Sequence, residues 1–213
     1  MGINSGSQTI GLQKSVGSLT YYTWKGLTIS RVKVMSNPSR TDLQVKNRSI
    51  QGVVGHLCRR LIEAIRIGYT IREKYCSPAN LFVKANRSVA TATKDEETGE
   101  FLVSVDFARL KLADGDLFPP ALTAVVDKEG RKVVFTLAAA EEGGRVLPDD
   151  VVYAVIYEKK RELCRMPLLG KRVETGEKEV KLSEQCDMDD LEIYAFAVNE
   201  KKRLSSPSVY LSV

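Results

Sequence analysis

Residues Gly17 to Lys33 read Gly-Ser-Leu-Thr-Tyr-Tyr-Thr-Trp-Lys-Gly-Leu-Thr-Ile-Ser-Arg-Val-Lys. Leu19, Tyr21 and Thr23 alternate with Thr20, Tyr22 and Trp24, and Leu27, Ile29, Val32 and Val34 return beyond Lys25-Gly26. Alternation of β-branched and aromatic residues about a short Gly-containing break predicts a β-hairpin. Pro38 has no N–H to continue the pairing, so the hairpin is expected to stop there. From Asp42 the period changes. Ile50, Val53, Val54, Leu57, Leu61, Ile62 and Ile65 recur at steps of three and four, the stripe of an amphipathic helix. Ser39 or Thr41 is placed to cap that helix, Asp42 suits its positive end, and Gly68 is expected to close it. Gly52 and Gly55 each cost about 1 kcal/mol in a helix interior. The expectation is that they allow close packing against the hairpin.

A second, shorter helix is predicted over Ser77-Pro78 to Arg87, with a capping serine and proline at the first helical position. Phe101 to Phe107 and Leu110 to Leu112 read as strand. After Phe118-Pro119-Pro120 the spacing predicts seven short strands near 121–127, 132–138, 151–158, 162–168, 177–183, 191–199 and 206–213. Seven strands separated by polar turns in under a hundred residues suit an immunoglobulin/fibronectin-III-like β-sandwich, with Tyr194 as a tyrosine-corner analogue. The expected fold is therefore α+β: an N-terminal β-hairpin plus long amphipathic helix, followed by that sandwich. The expected division is residues 1–116 for the hairpin-helix region and 117–213 for the sandwich.

The 213 residues carry a net charge of +5, unevenly spread. Residues 1–80 hold twelve Lys/Arg against Asp42, Glu63 and Glu73, a net +9, which leaves −4 for residues 81–213. Such asymmetry suits either an anionic partner for the front or a head-to-tail contact between copies. No window reaches the ~18 apolar residues of a membrane span. The Gly/Ser/Gln-rich start lacks a basic n-region and an apolar h-region, so it reads as an extended polar arm rather than a signal peptide, and a cytoplasmic location (or a particle assembled there) is expected. Cys58, Cys76, Cys164 and Cys186 are irregularly spaced without a Cys-x-x-Cys pair, the pattern of reduced, buried thiols.

His56 is the single histidine, which excludes a multi-histidine metal site within one chain. Carboxylates cluster at Asp114/Asp116, at Asp149/Asp150 and at Asp187/Asp189/Asp190/Glu192, where acids are ordinary turn residues. Gly143-Gly144 lacks the Lys-Ser/Thr and helix of a phosphate loop. No catalytic residue, cofactor or metal is expected. The candidate interaction surface is basic and aromatic: Tyr22, Trp24, Lys25, Arg31, Lys33, Arg40, Lys46, Arg48, Arg59 and Arg66. Cations neutralise phosphates and aromatic faces stack on bases, but the same residues equally serve a solvated or protein-facing surface.

The pattern Lys14-x-x-Gly17-x-x-x-Tyr21-Tyr22-x-Trp24-Lys25-Gly26, Arg31-x-Lys33, Asn37-Pro38-x-x-Thr41-x-x-Gln44 resembles a family of uncharacterised bacterial proteins known as a domain of unknown function. Ile67-Gly68-Tyr69, Asp114-Gly-Asp116 and the closing Ser206-x-Ser208-Val-Tyr210 extend the resemblance over nearly the whole chain. Val34 departs from it where a proline is usual, and Cys76 where a polar residue is usual. The resemblance implies the hairpin, helix and sandwich-like tail, and a phage- or prophage-type setting. It brings no catalytic residues. The expected function is a non-enzymatic structural or assembly protein acting through protein–protein contacts, including contacts with itself. The alternatives are nucleic-acid binding through the basic helix and hairpin aromatics, and a carbohydrate- or surface-binding module using Phe118, Tyr153, Tyr157 and Tyr210.

Overall fold

The computed structural model describes residues 2–4, 14–24, 26–36, 40–70, 76–138, 145–147, 149–199, 201 and 203–212. Its contacts divide the chain into residues 1–41 and residues 42–213.

The smaller unit is a four-stranded antiparallel sheet in the order β1-β4-β3-β2, made of β1 (Gly2–Asn4), β2 (Lys14–Val16), β3 (Leu19–Trp24) and β4 (Leu27–Val32). The alternating segment forms the expected hairpin, with Trp24 opposite Leu27 and Leu19 opposite Val32. Two-residue connections join Val16 to Leu19 and Trp24 to Leu27. Gly17 and Gly26 supply the positive φ such turns need, at 58° and 81°. The start of the chain was read as an arm, but Gly2–Asn4 instead adds an edge strand opposite Thr28–Ser30.

The larger unit opens with α1 (Asp42–Arg60) and α2 (Ile62–Gly68), separated only by Leu61. The backbone ladder runs through that residue: the Leu61 N–H bonds the Leu57 carbonyl at 2.9 Å, and the Leu61 carbonyl accepts from Ile65 N–H at 3.0 Å. Val54, Leu57, Cys58, Leu61, Ala64 and Ile65 are buried, as the apolar stripe predicts. The third helix, α3 (Pro78–Asn86), begins where expected, and the Ser77 hydroxyl accepts from Asn80 N–H at 3.2 Å.

Eleven strands follow: β5 (Ala90–Lys94), β6 (Phe101–Val105), β7 (Leu122–Asp127), β8 (Lys132–Leu137), β9 (Val151–Glu158), β10 (Leu163–Arg165), β11 (Leu168–Lys171), β12 (Gly176–Lys181), β13 (Leu191–Asn199), β14 (Leu204–Ser205) and β15 (Val209–Leu211). β5 and β6 form a separate hairpin beside α1, and β12-β8-β7 form a three-stranded sheet. β9 and β13 lie at the centre of a six-stranded sheet with β10, β11, β14 and β15.

Strand alternation sends the two faces of that central sheet into different cores. Val155, Tyr157, Tyr194, Phe196 and Val198 pack with the helices, including Phe82 of α3. Val152, Ala154, Ile156, Ile193 and Ala195 pack with Val133, Phe135 and Leu137 of β8. The result is three layers, helices then sheet then sheet, and burial of both faces explains why Glu192 to Asn199 are all buried. Each large apolar side chain fully buried there contributes about 1.5–3 kcal/mol. The segment around residue 116 runs inside this unit.

Two local expectations change. Leu110–Leu112 is not a strand, because the buried Asn86 side chain occupies the pairing groups: its Oδ1 accepts from Lys111 N–H at 2.8 Å, and its Nδ2 donates to the Lys111 carbonyl at 2.8 Å. Tyr194 is not a tyrosine corner. Its hydroxyl donates 2.7 Å to the carbonyl of Phe107, in a 3₁₀ turn (Phe107–Arg109), and so ties the sheet to another layer.

Gly52 and Gly55 do not mediate close packing either: among the described residues nothing lies within 4 Å of a Cβ built at either position. Gly52→Ala and Gly55→Ala are each expected to raise stability by up to about 1 kcal/mol. The check is an upward shift of the urea midpoint with an unchanged m-value.

Candidate interaction surface

Strand register distributes the smaller sheet's side chains over two unlike faces. Tyr22 faces Ile29 across the hairpin, Trp24 faces Leu27, and Thr20 faces Arg31, so these six share one side. Trp24 is 54% exposed and Leu27 46%. The Arg31 guanidinium lies 5.6 Å from the centre of the Tyr22 ring, a cation–π distance. On the other side a row runs from Val16 through Leu19 to Val32. Val16 is 60% exposed and Val32 70%, and the row is followed in sequence by exposed Val34 and Met35. Ile29 is the one buried apolar side chain among the described residues of this unit.

The ten sequence-predicted residues therefore separate. Tyr22, Trp24, Arg31, Lys33 and Arg40 belong to the smaller unit, and Lys25 lies outside the described residues. Lys46, Arg48 and Arg59 are exposed on α1, and Arg66 is exposed on α2. Arg48, Arg59 and Arg66 are spaced by eleven and seven residues, which returns them to one side of a helix. Leu27 and Val16 were missed by sequence reasoning. Their signal was present, since a two-residue turn places Leu27 directly opposite Trp24.

His56 sits on the rim of an apolar groove of about 340 Å³ floored by Leu57, Val105, Phe107 and Tyr157. Its Nδ1 accepts from Arg59 at 3.4 Å, so Nε2 carries the proton and donates to Glu162 at 2.8 Å. Arg60 Nε also donates to that carboxylate at 3.0 Å. The His56 hydrogen bond, with the Arg60 charge behind it, holds Glu162 below the usual carboxylate range. Glu162 closes the turn after β9 with φ of 54°, the left-handed region, and its N–H bonds the Lys159 carbonyl at 3.3 Å. The arrangement anchors a hairpin to a helix.

The acidic clusters at Asp149/Asp150 and at Asp187/Asp189/Asp190/Glu192 are likewise engaged. Asp149 pairs with Lys201 at 2.7 Å, Asp187 with Lys160 at 3.2 Å, and Asp190 and Glu192 both with Lys159, at 3.2 and 2.7 Å. Asp189 pairs with Lys128, and Asp150 is buried against Arg172. Among the described residues no three His, Cys, Asp or Glu side chains are grouped as a metal site requires. Burial pushes the Cys164 and Cys186 thiols up to about 11, the latter helped by Glu158, and raises Cys58 as well, so none is poised as a thiolate near neutrality. Of the aromatics considered for carbohydrate, Tyr157 is buried, Tyr153 and Tyr210 are half-buried, and Phe118 is exposed. Among the described residues no helix is long and apolar enough to cross a membrane.

Fold and surface together define a mixed α+β protein built of helices and several antiparallel sheets. The chain belongs to the Family of unknown function (DUF6266), whose model matches residues 11–212, in agreement with the resemblance of the hairpin motif. No curated protein and no solved structure matches the chain.

Proposed function

We propose that this chain is a non-enzymatic structural protein that assembles with further copies of itself through its N-terminal sheet. The observation that carries this reading is the row Val16–Leu19–Val32, with Val16 and Val32 exposed and Leu19 half-buried, continued by exposed Val34 and Met35, on a unit with a single buried apolar side chain among its described residues. A sheet of this size needs an apolar face packed on something to be stable, and contiguous exposed apolar surface marks a protein contact. The larger unit supplies a rigid body. Its strands in order β12-β8-β7 facing β10-β9-β13-β15 support an immunoglobulin/fibronectin-III-like sandwich, here with a helix layer on one side led by the long α1 helix. A phage-type particle, the setting implied by the family resemblance, is an assembly of this kind.

From Asp42 onward the chain holds 27 Lys/Arg and 27 Asp/Glu, so opposed net charges contribute little and the contact rests on the apolar row. Light scattering of untagged, nuclease-treated protein is expected to show a discrete multimer that persists at high salt. Val32→Glu, at a 70% exposed position, is expected to convert it to monomer with its thermal stability otherwise retained. A wild-type monomer at every concentration and salt overturns the reading.

A further inference from the structure

The face of the small sheet opposite the apolar row has a different chemistry. Asp and Glu make up 27 of the 213 residues, yet none falls in the first 41, which contain Lys14, Lys25, Arg31, Lys33 and Arg40. The whole +5 of the chain resides there. On one side of this acid-free unit Tyr22 and Trp24 occupy alternate positions of β3, roughly 7 Å apart along the strand. That spacing sets exposed Trp24 beside half-buried Tyr22 on the same side of the strand. Trp24 is 54% exposed, and Arg31 lies against Tyr22 while its own side chain remains at the surface.

We infer that the Tyr22–Trp24–Arg31 face binds single-stranded nucleic acid, with the aromatic rings stacking on bases and the surrounding cations neutralising phosphates. An acidic protein segment would exploit the charge but has no use for aromatic rings at alternate positions. Unpaired bases present π-faces that such rings accept without regard to sequence, whereas duplex bases are stacked away from a flat sheet. Absence of carboxylates removes the repulsion that an ordinary mixed-charge surface would offer a polyanion. This ligand uses the face opposite the apolar row, so binding and self-assembly test separately.

Trp24 is the single tryptophan of the chain, so its emission reports on this face alone. The full chain is titrated with an oligothymidylate and, in parallel, with polyglutamate, which offers charge without bases. The oligonucleotide is expected to quench Trp24 emission. For about four phosphates neutralised, affinity is expected to fall roughly fiftyfold between about 50 and 200 mM salt. By anisotropy of a labelled oligonucleotide, Trp24→Ala is expected to weaken binding by roughly ten- to a hundredfold, Trp24→Phe by much less, and Arg31→Gln measurably. No quenching at low salt overturns the inference. So does equal affinity for polyglutamate, which would assign the face to an acidic protein, and so does unchanged affinity in Trp24→Ala.

Discussion

Arg172→Met is expected to lower the stability of the larger unit by about 3–5 kcal/mol, and Asp150→Asn to lower it by a comparable amount. Both side chains are almost entirely inaccessible, at 2% and 0%, and their charged atoms lie 3.2 Å apart. Bringing two charges out of water is costly, and geometry must return that cost. Here it does so through a network. Asp150 accepts from Leu147 N–H at 3.1 Å and from Asn199 Nδ2 at 3.0 Å, while Arg172 donates to the carbonyls of Phe118 and of Pro119, the latter at 2.7 Å. Removing either partner leaves a buried charge with no counter-charge and orphans the groups it served. Urea unfolding followed by far-UV circular dichroism measures the loss. A deficit under 1 kcal/mol would mean that water replaces the missing partner. Amide exchange at Leu117 and Phe118 is expected to quicken in Arg172→Met, because that guanidinium ties the connector to the sheet layer.

Gly115→Ala is the second large effect, expected near 3 kcal/mol, at the upper end of what overpacking costs. A Cβ at Gly115 would collide with the backbone carbonyl of Ser205 and come within 2.6 Å of its hydroxyl. The loop cannot step aside without breaking its ties. Leu117 N–H bonds the Ser205 carbonyl at 3.0 Å, the Ser205 hydroxyl donates to the Asp114 carbonyl at 2.7 Å, and Asp114 N–H reaches the Gly68 carbonyl at 3.3 Å. Gly68 is constrained in the same way, since its Cβ would meet the Leu112 carbonyl at 2.6 Å. A melting temperature for Gly115→Ala within one degree of the parent would show that the contact relaxes, and would remove this segment as a fixed seam between layers.

Much of the architecture was legible because it is periodic. Alternation from Leu19 to Val32 and steps of three and four from Ile50 to Ile65 are local consequences of backbone geometry, so they predict β3, β4 and the helical stripe directly. The seven tail strands expected from the sequence match β7, β8, β9, β10, β12, β13 and β15 for the same reason, while the short β11 and β14 carry too few residues to show a period. Legibility fails where a side chain stands in for backbone. Asn86 satisfies Lys111 from 25 residues away, and no local pattern announces that Leu110–Leu112 lacks a strand partner. Gly68 ends α2 as its sequence predicts, but the close contact with Ala113 that also demands glycine there has no local signal. For the candidate surface, residue types were legible while their grouping was not: the nine described residues of that set fall into two separate units.

Composition and periodicity alone determined the mixed α+β class, the positions of most elements, and the concentration of the net charge at the front of the chain. These are properties of residues and their near neighbours. Tertiary structure decided which faces meet. β13 reads as a run alternating Ile, Tyr, Ala and Phe, and only packing reveals that the helices cover Tyr194 and Phe196 while β8 covers Ile193 and Ala195. Apolar alternation shows which side of a strand avoids water but not what lies against it. That partner is set by shape and by long-range pairing, which the order of residues along a strand does not encode locally.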